Sequence, residues 1–304
     1  MTSPFVVPDN PDSACQPPST KDFLVDRTFR ALSRVGVILI LAVVFALVFE
    51  VGRKALPGMQ AYGFDVLFGT VWDVNQNKYG ILPAIWGTLY SAFIALLIAG
   101  FFGISMAIFL TQDFLPAKLA AVFRTIVELL AAIPSVVYGL WGIYVVIPAI
   151  RPLTTWLHSE LSWIPFFGSS LSGPGLLPAA LVLAIMILPT IAAVSQDALS
   201  SVPMKTKQAA YGMGTTHWEA ILKVMVPSAA TGIFGSLVLG LGRALGETMA
   251  LAMLVGNANN ISLSLFAPAN TLAALLALNF PEAGPREVEA VSYTHLTLPT
   301  ICSV

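Results

Sequence analysis

The sequence predicts an all-α protein that crosses a membrane several times, and three observations carry that prediction. Of its 304 residues, 57% are hydrophobic and only 10% are charged, where soluble domains average about 25% charged. Five apolar stretches, at 35–51, 81–110, 125–150, 176–194 and 224–255, reach the roughly 17–25 residues that a spanning helix needs. Basic residues are also distributed unevenly between the segments that join those stretches. With the N-terminus inside, the inner face holds Lys21, Arg27, Arg30, Arg34, Lys118, Arg124, Lys205, Lys207 and Lys223, while the outer face holds Arg53, Lys54, Lys78, Arg151 and Arg286. The excess on one side favours a cytoplasmic N-terminus in a multi-pass plasma-membrane protein.

Residues 1–34 are polar, with prolines at 4, 8, 11, 17 and 18. Residues 1–20 are expected to be disordered, since they hold too little apolar surface to offset the entropy of ordering. The first apolar run starts too late for a secretory signal and has no small-residue cleavage site close behind it, so it reads as a retained span. Glu50, Arg53 and Lys54 lie at its far end, where long side chains reach the interface. The second run, 81–110, is free of charge; the third carries Glu128 near its start and Pro134 inside it; the fourth has Pro189 near its end. Residues 271–280 are apolar but too few to cross, which suggests a re-entrant or interfacial piece. Trp156 and Trp163, in the outer loop after the third run, suit the membrane–water interface.

The fifth run holds the sequence LGLGRALGETMALA at 239–252, with Arg243 and Glu247 inside it. An ionisable residue at mid-membrane is costly, at about 2.5–3.5 kcal/mol on insertion scales, and so marks a function or a specific partner. On a continuous helix the two residues share a face, being four apart. Gly240, Ser236 and Gly232 continue that face one turn at a time, and such small residues let another helix approach closely. Two readings stand open: a structural ion pair, or part of a path for a polar substrate. Glu128 has the same two readings, with Arg124 four residues before it as a partner for an interfacial pair.

The inner loop 196–223 has its own pattern. Pro203 suits the first turn of a short helix, with Ser200 or Ser201 as its cap. Gly212 and Gly214 permit a sharp turn after Tyr211, and Thr216 followed by Glu219 is the spacing of a capping box that opens a second helix. Ala209 and Ala210 leave the short helix a small-residue surface. The segment resembles the EAA loop of ABC importer permeases, E-A-A-x3-G-x9-I-x-L-P. The pattern falls on Gln208, Ala209, Ala210, Gly214, Val224, Val226 and Pro227, with Gln, Val and Val replacing Glu, Ile and Leu. In that family the loop docks on the ATPase, and the lost Glu charge removes one contact there.

Two further stretches, ELLAAIPSVVYGLWG at 128–142 and GLGRALGETMA at 240–250, resemble the phosphate-specific permeases of the type I ABC importer family. The similarity covers roughly residues 30–290. It implies a helical bundle of the six-span family, with five complete spans here and the sixth missing. It also implies inorganic phosphate as substrate, a second permease (PstA-like), an ATPase dimer (PstB-like) and a periplasmic or extracellular phosphate-binding protein (PstS-like). The family's charged R-A-L-G-E residues take part in passage of the anion, and they map onto Arg243 and Glu247. Arginine fits that role because its guanidinium stays charged and offers a planar fork of donors to phosphate oxygens.

No glycine directly precedes a lysine, so the chain lacks a Walker A loop, and it has no G-x-S-x-G or H-E-x-x-H constellation. Neither intrinsic catalysis nor a cofactor is expected. Cys15 and Cys302 lie near opposite ends, and His158, His217 and His295 are scattered, so neither a disulfide framework nor a metal site is expected. The final residues, VSYTHLTLPTICSV at 291–304, are too few and too polar to span, and SYTHLTLPT resembles tails at truncated ends of unrelated chains. The expected organisation is an N-terminal cytoplasmic tail over 1–34, a permease domain over 35–290 with a coupling loop at 196–223, and a non-native tail over 291–304. The competing functions are a type I permease for another oxyanion, such as molybdate or sulfate, and a non-transport membrane scaffold.

Overall fold

In the computed structural model the described residues are 20–279, apart from 64, 74–77, 113 and 172, together with 288, 290, 292 and 294. The chain divides into two units, Met1–Arg53 and Lys54–Val304. The expectation of disorder over 1–20 therefore lies almost wholly outside the described residues.

The boundary between the units falls inside helix α1, Thr20–Tyr62. Helix starts well before the apolar run, so residues 20–34, expected as tail, are helical. The reason is local: Asp26 and Arg30 pair at 2.6 Å one turn apart, and Thr28 Oγ1 donates to the Leu24 carbonyl. At the far end Arg53 meets Glu50 at 3.3 Å. The apolar side chains between them, such as Leu39, Phe45 and Phe49, are exposed within this unit, as expected of a helix whose solvent is lipid.

The second unit is built on α2 (Leu82–Thr111), α5 (Leu176–Ser200) and α8 (Ala230–Leu245). Among the described residues the α2–α5 contact is the most extensive, and α8 packs on both. Small residues make that packing close. Ala92, Ala95 and Ala99 of α2 are fully buried beside Leu183, Ile187 and Ile191 of α5. A Cβ on Gly103 would lie 3.0 Å from Ile191 Cγ2. Without a hydrophobic drive between helices in lipid, such close dispersion contact is what holds them together.

Prolines decide where the other helices end or distort. The expected span over 125–150 is instead two helices, α3 (Ala117–Ala132) and α4 (Ser135–Leu161). Pro134 forces Ile133 into an extended conformation, φ −70 and ψ 129, as the residue before a proline avoids the helical region. Within α4, Gly142–Val146 is a π segment, with the Ile147 N–H bonded to Gly142 O, one residue before Pro148. The same device recurs in α7 (His217–Ser228), where the Val226 N–H reaches back to Ile221 O ahead of Pro227. A proline ring clashes with the carbonyl four residues earlier, and the wider π turn makes room for it.

The run over 224–255 is likewise not one continuous helix. It belongs to α7, α8 and α9 (Met249–Leu254), with a 68° bend between α7 and α8 at Ala229. Among the described residues four helices are long and apolar enough to cross a membrane, Phe23–Pro57, Leu82–Thr111, Ser135–Leu161 and Leu176–Ser200, and the bent α7–α8 pair makes up to five. The short piece expected at 271–280 is α10, Leu272–Asn279. Its first turn is buried against Val66, Ile81 and Ala84, and the Leu272 N–H donates to Thr88 Oγ1 at 2.9 Å. Trp72–Asp73 pairs antiparallel with Lys78–Tyr79, a short strand pair that the apolar runs do not signal. Of the expected non-native tail, only Ser292 and Thr294 are described. Both are helical and buried, and Thr294 Oγ1 donates to Ala290 O.

Candidate functional site: a membrane groove at Arg243 and a cytoplasmic elbow

Helix α8 presents two faces of small residues. The first is the expected one. A Cβ on Gly240 would lie 2.7 Å from Ile191 Cγ1, and one on Gly232 would overlap the Ala198 methyl. Between them Ser236 and Ser195 are fully buried with their hydroxyls 2.8 Å apart. Ser236 gives its own proton to Ile233 O, so Ser195 is the donor of the pair. This face is the α5–α8 seam. The second face was not singled out: a Cβ on Gly235 or Gly242 meets nothing within 4 Å. These two glycines line a groove of about 610 Å³ together with Thr190, Val238, Leu239 and Arg243.

Arg243 stands on the groove side, in the last turn of α8, where the carbonyl ends favour a cation. Its Nη1 donates to Thr190 Oγ1 at 3.1 Å, and its other guanidinium N–H groups have no partner among the described residues. The helix then ends: Gly246 is the C-cap, and α9 begins at Met249 after a break. Glu247 therefore does not continue the Arg243 face. Its Oε1 accepts the Ala250 N–H at 3.3 Å and closes the first turn of α9. Among the described residues no ion pair joins Arg243 to Glu247. The expected face-sharing fails because the helix stops at Gly246, a poor helix former, and the acidic side chain is recruited to the next helix start.

Glu128 sits on α3, exposed, with no hydrogen-bonding or ionic partner among the described residues and apart from the groove lining. The expected pair with Arg124 does not form. Arg124 instead meets the Gln196 amide oxygen, with Nε at 3.2 Å and Nη2 at 2.6 Å in the amide orientation that satisfies both groups.

On the loop, α6 (Met204–Gly212) is the short helix expected there. Pro203 occupies the cap position rather than the first turn, and neither expected serine caps it: Ser200 donates to Gln196 O and Ser201 to Ala198 O, both back into α5. Gly214 has φ +82 with open space around it, so only its backbone conformation demands glycine. The capping box is present in full, the Glu219 N–H on Thr216 Oγ1 and the Thr216 N–H on Glu219 Oε2. The Thr216 N–H, helped by Lys223 at 3.1 Å, lowers the Glu219 pKa to about 2. Of the motif residues, Ala210 is buried, while Gln208, Ala209, Gly214 and Pro227 are exposed and Val224 and Val226 half-buried. Met204 and Met213 add apolar surface beside them, 64% and 79% exposed.

One feature of the elbow escaped sequence reasoning. His217 Nε2 lies 3.2 Å from Gln112 O, at the end of α2, and its Nδ1 lies 2.7 Å from Tyr211 Oη. A carbonyl only accepts, so Nε2 carries the proton and Nδ1 accepts from the tyrosine. Phe114 packs on His217 and Trp218 with ring centres 4.9 and 4.8 Å away. The elbow is thereby tied to the end of α2, a link that spans 105 residues of sequence and has no local signal.

Residues 99–278 match the family described as binding-protein-dependent transport system inner membrane component. The phosphate transport system permease protein PstC of Mesorhizobium japonicum is 41% identical, over 86% of this chain and 81% of its own length. Its counterpart in Pasteurella multocida is 38% identical over 92% of this chain and 89% of its own. A solved bacterial alginate ABC transporter, in complex with its alginate-bound periplasmic protein, shares the fold, with a TM-score of 0.62 and 17% identity over 93% of this chain and 94% of that one. The groove, the bent α7–α8 pair and the glycine elbow thus lie within the matched region, and the chain belongs to the binding-protein-dependent transport inner membrane components, in their PstC permease branch.

Proposed function

We propose that this chain is the membrane-spanning permease subunit of an ATP-driven importer of inorganic phosphate. It forms the translocation path with a PstA-like permease, receives phosphate from a PstS-like binding protein, and is driven by a PstB-like ATPase dimer that docks on the loop 196–223. The N-terminus is cytoplasmic, which puts that loop on the ATPase side. The observation that carries the reading is Arg243, a charged guanidinium on an open groove of a membrane helix, held by Thr190 and free of any ion pair among the described residues. A structural cation in lipid would be neutralised by a carboxylate, and Glu247 is engaged elsewhere. Glu247 borders the path at the break between α8 and α9, while Glu128 stands as a more remote path residue on α3. The exposed Gln208, Ala209 and Met204 of α6, with Met213 and Gly214 in the turn after it, support docking of a partner with a complementary groove.

Labelled-phosphate uptake in a permease-null strain tests this. Arg243→Ala is expected to assemble and to abolish uptake, and Arg243→Lys to reduce it, since lysine keeps the charge but loses the paired donors. Normal phosphate uptake in Arg243→Ala would remove Arg243 from the path. Uptake of molybdate or sulfate in place of phosphate would assign the permease to another oxyanion.

A further inference from the structure

Thr190 has a hydroxyl that its helix does not use. Serine and threonine in membrane helices ordinarily give their proton to a carbonyl one turn back, and here Thr88, Ser105 and Thr111 each do so at 2.7–2.8 Å. Thr190 makes no such bond to Met186. Its Oγ1 accepts from Arg243 Nη1 at 3.1 Å, and among the described residues its own proton has no acceptor. It lies half-buried on the groove wall, directly after Pro189 and opposite the open glycines 235 and 242.

We propose that Thr190 is a second anion-binding residue of the path, which orients the Arg243 guanidinium through Nη1 and donates its own hydroxyl to the passing oxyanion. The proposal rests on the reading that Arg243 meets the anion. The chemistry is complementary. One of five guanidinium N–H groups is spent on Thr190, and four remain for two oxygens of a tetrahedral anion. The hydroxyl proton is left for a third oxygen. Accepting from a cation also polarises the O–H and makes it a better donor. Gly235 and Gly242 carry no side chain to fill the space that the anion needs.

Three variants at Thr190 test this in the complete transporter, reconstituted in proteoliposomes with labelled inorganic phosphate, with uptake normalised to assembled complex. Thr190→Val keeps the shape and removes the hydroxyl. Thr190→Ser keeps the hydroxyl and loses a methyl. A packing role predicts that valine is tolerated better than serine; the proposed role predicts the reverse. The maximal uptake rate should fall roughly tenfold in Thr190→Val, the loss of one charge-assisted hydrogen bond, and stay within about twofold in Thr190→Ser. Thr190→Ala serves where valine impairs assembly and should match the valine loss. In an Arg243→Lys background the valine penalty should shrink, because the fork it orients is gone. Normal uptake in Thr190→Val or Thr190→Ala, with Arg243→Ala inactive, overturns the Thr190 proposal and leaves Arg243 standing. Normal uptake in Arg243→Ala as well overturns the underlying reading. An equal valine penalty in both backgrounds overturns the orienting role.

Discussion

Gly232 offers the sharpest test of the α5–α8 seam. Its Cβ would overlap the Ala198 methyl, a group that cannot rotate away because it is fixed to the α5 backbone. Gly232→Ala must therefore push the two helices apart by about 1 Å to restore ordinary contact, and dispersion falls off steeply over such a gap. The same separation stretches the buried 2.8 Å bond between Ser195 and Ser236 one turn further along. Overpacking of this kind costs about 1–3 kcal/mol, partly offset by the gain of up to about 1 kcal/mol from alanine over glycine in a helix. A net loss of up to about 2 kcal/mol is expected. Ala198→Gly alone should lose about 1 kcal/mol in propensity.

The double variant exchanges the two residues across the seam. With the Ala198 Cβ removed, the nearest atom to a Cβ at 232 is the residue 198 Cα at 3.5 Å, which is ordinary contact. The propensity terms cancel, so the double variant should unfold like the wild type, with a coupling energy of about 1–3 kcal/mol, within the range for residues in contact. Reversible unfolding of the detergent-solubilised subunit gives all four corners of the cycle. Gly235→Ala, on the open face, is the control and should be neutral or mildly stabilising. The reasoning fails if Gly232→Ala is as stable as Gly235→Ala, or if the two single losses simply add.

Four further outcomes are expected. Replacing Gly214 by valine should leave the membrane helices intact but reduce copurification of the ATPase, since a β-branched residue resists φ +82; undiminished ATP-coupled uptake would refute the elbow as a docking element. The Glu219 carboxylate, with its pKa lowered to about 2, contributes its stabilisation of the elbow above the ordinary carboxylate value and loses it as pH falls from about 4.5 towards 2; amide exchange at Thr216 over that range reports it, and protection already lost at pH 5 would contradict the assignment. His217→Phe keeps the ring contacts but breaks the hydrogen-bond chain from Tyr211 to Gln112, so proteolysis of the 203–216 segment should quicken while the complex still inserts; unchanged cleavage would show that ring packing alone holds the elbow. Glu128→Gln should leave stability unchanged, because the carboxylate has no partner among the described residues, and a marked loss of assembly would contradict that placement.

What was legible in the sequence was whatever depends on neighbours in the chain. The capping box at Thr216 and Glu219, the glycine elbow and the short helix after Pro203 all follow from residues a few positions apart; they appear as expected apart from the serine caps, the place of Pro203 at the cap rather than in the first turn, and Gly212, which closes the helix and leaves the turn to Gly214. The continuous helix over 224–255 and the joint Arg243–Glu247 face fail for the same reason. Periodicity assumes a continuous helix, and in lipid an apolar run reads alike whether it is one helix or two. The break at Gly246 is visible only once the Glu247 carboxylate is seen capping α9.

The two glycine faces of α8 make the limit plain. Gly232 and Gly240, with Ser236 between them, carry a four-residue small-residue spacing that marks a packing face, whereas nothing in the sequence marks Gly235 and Gly242 in the same apolar run as lining a groove. Three-dimensional structure separates them by what a methyl group would touch, Ala198 and Ile191 on one side and open groove on the other. A glycine that packs against α5 is there for the fold, and substituting it should lower stability and uptake together. A glycine that faces the groove leaves room for a methyl group among the described residues, so a loss of uptake in a stable, assembled variant points to the path or to a partner subunit. Gly242→Ala therefore discriminates: a stable, assembled complex with impaired phosphate uptake places the path along this face, whereas a destabilised subunit would mean that the groove is closed by the chain itself.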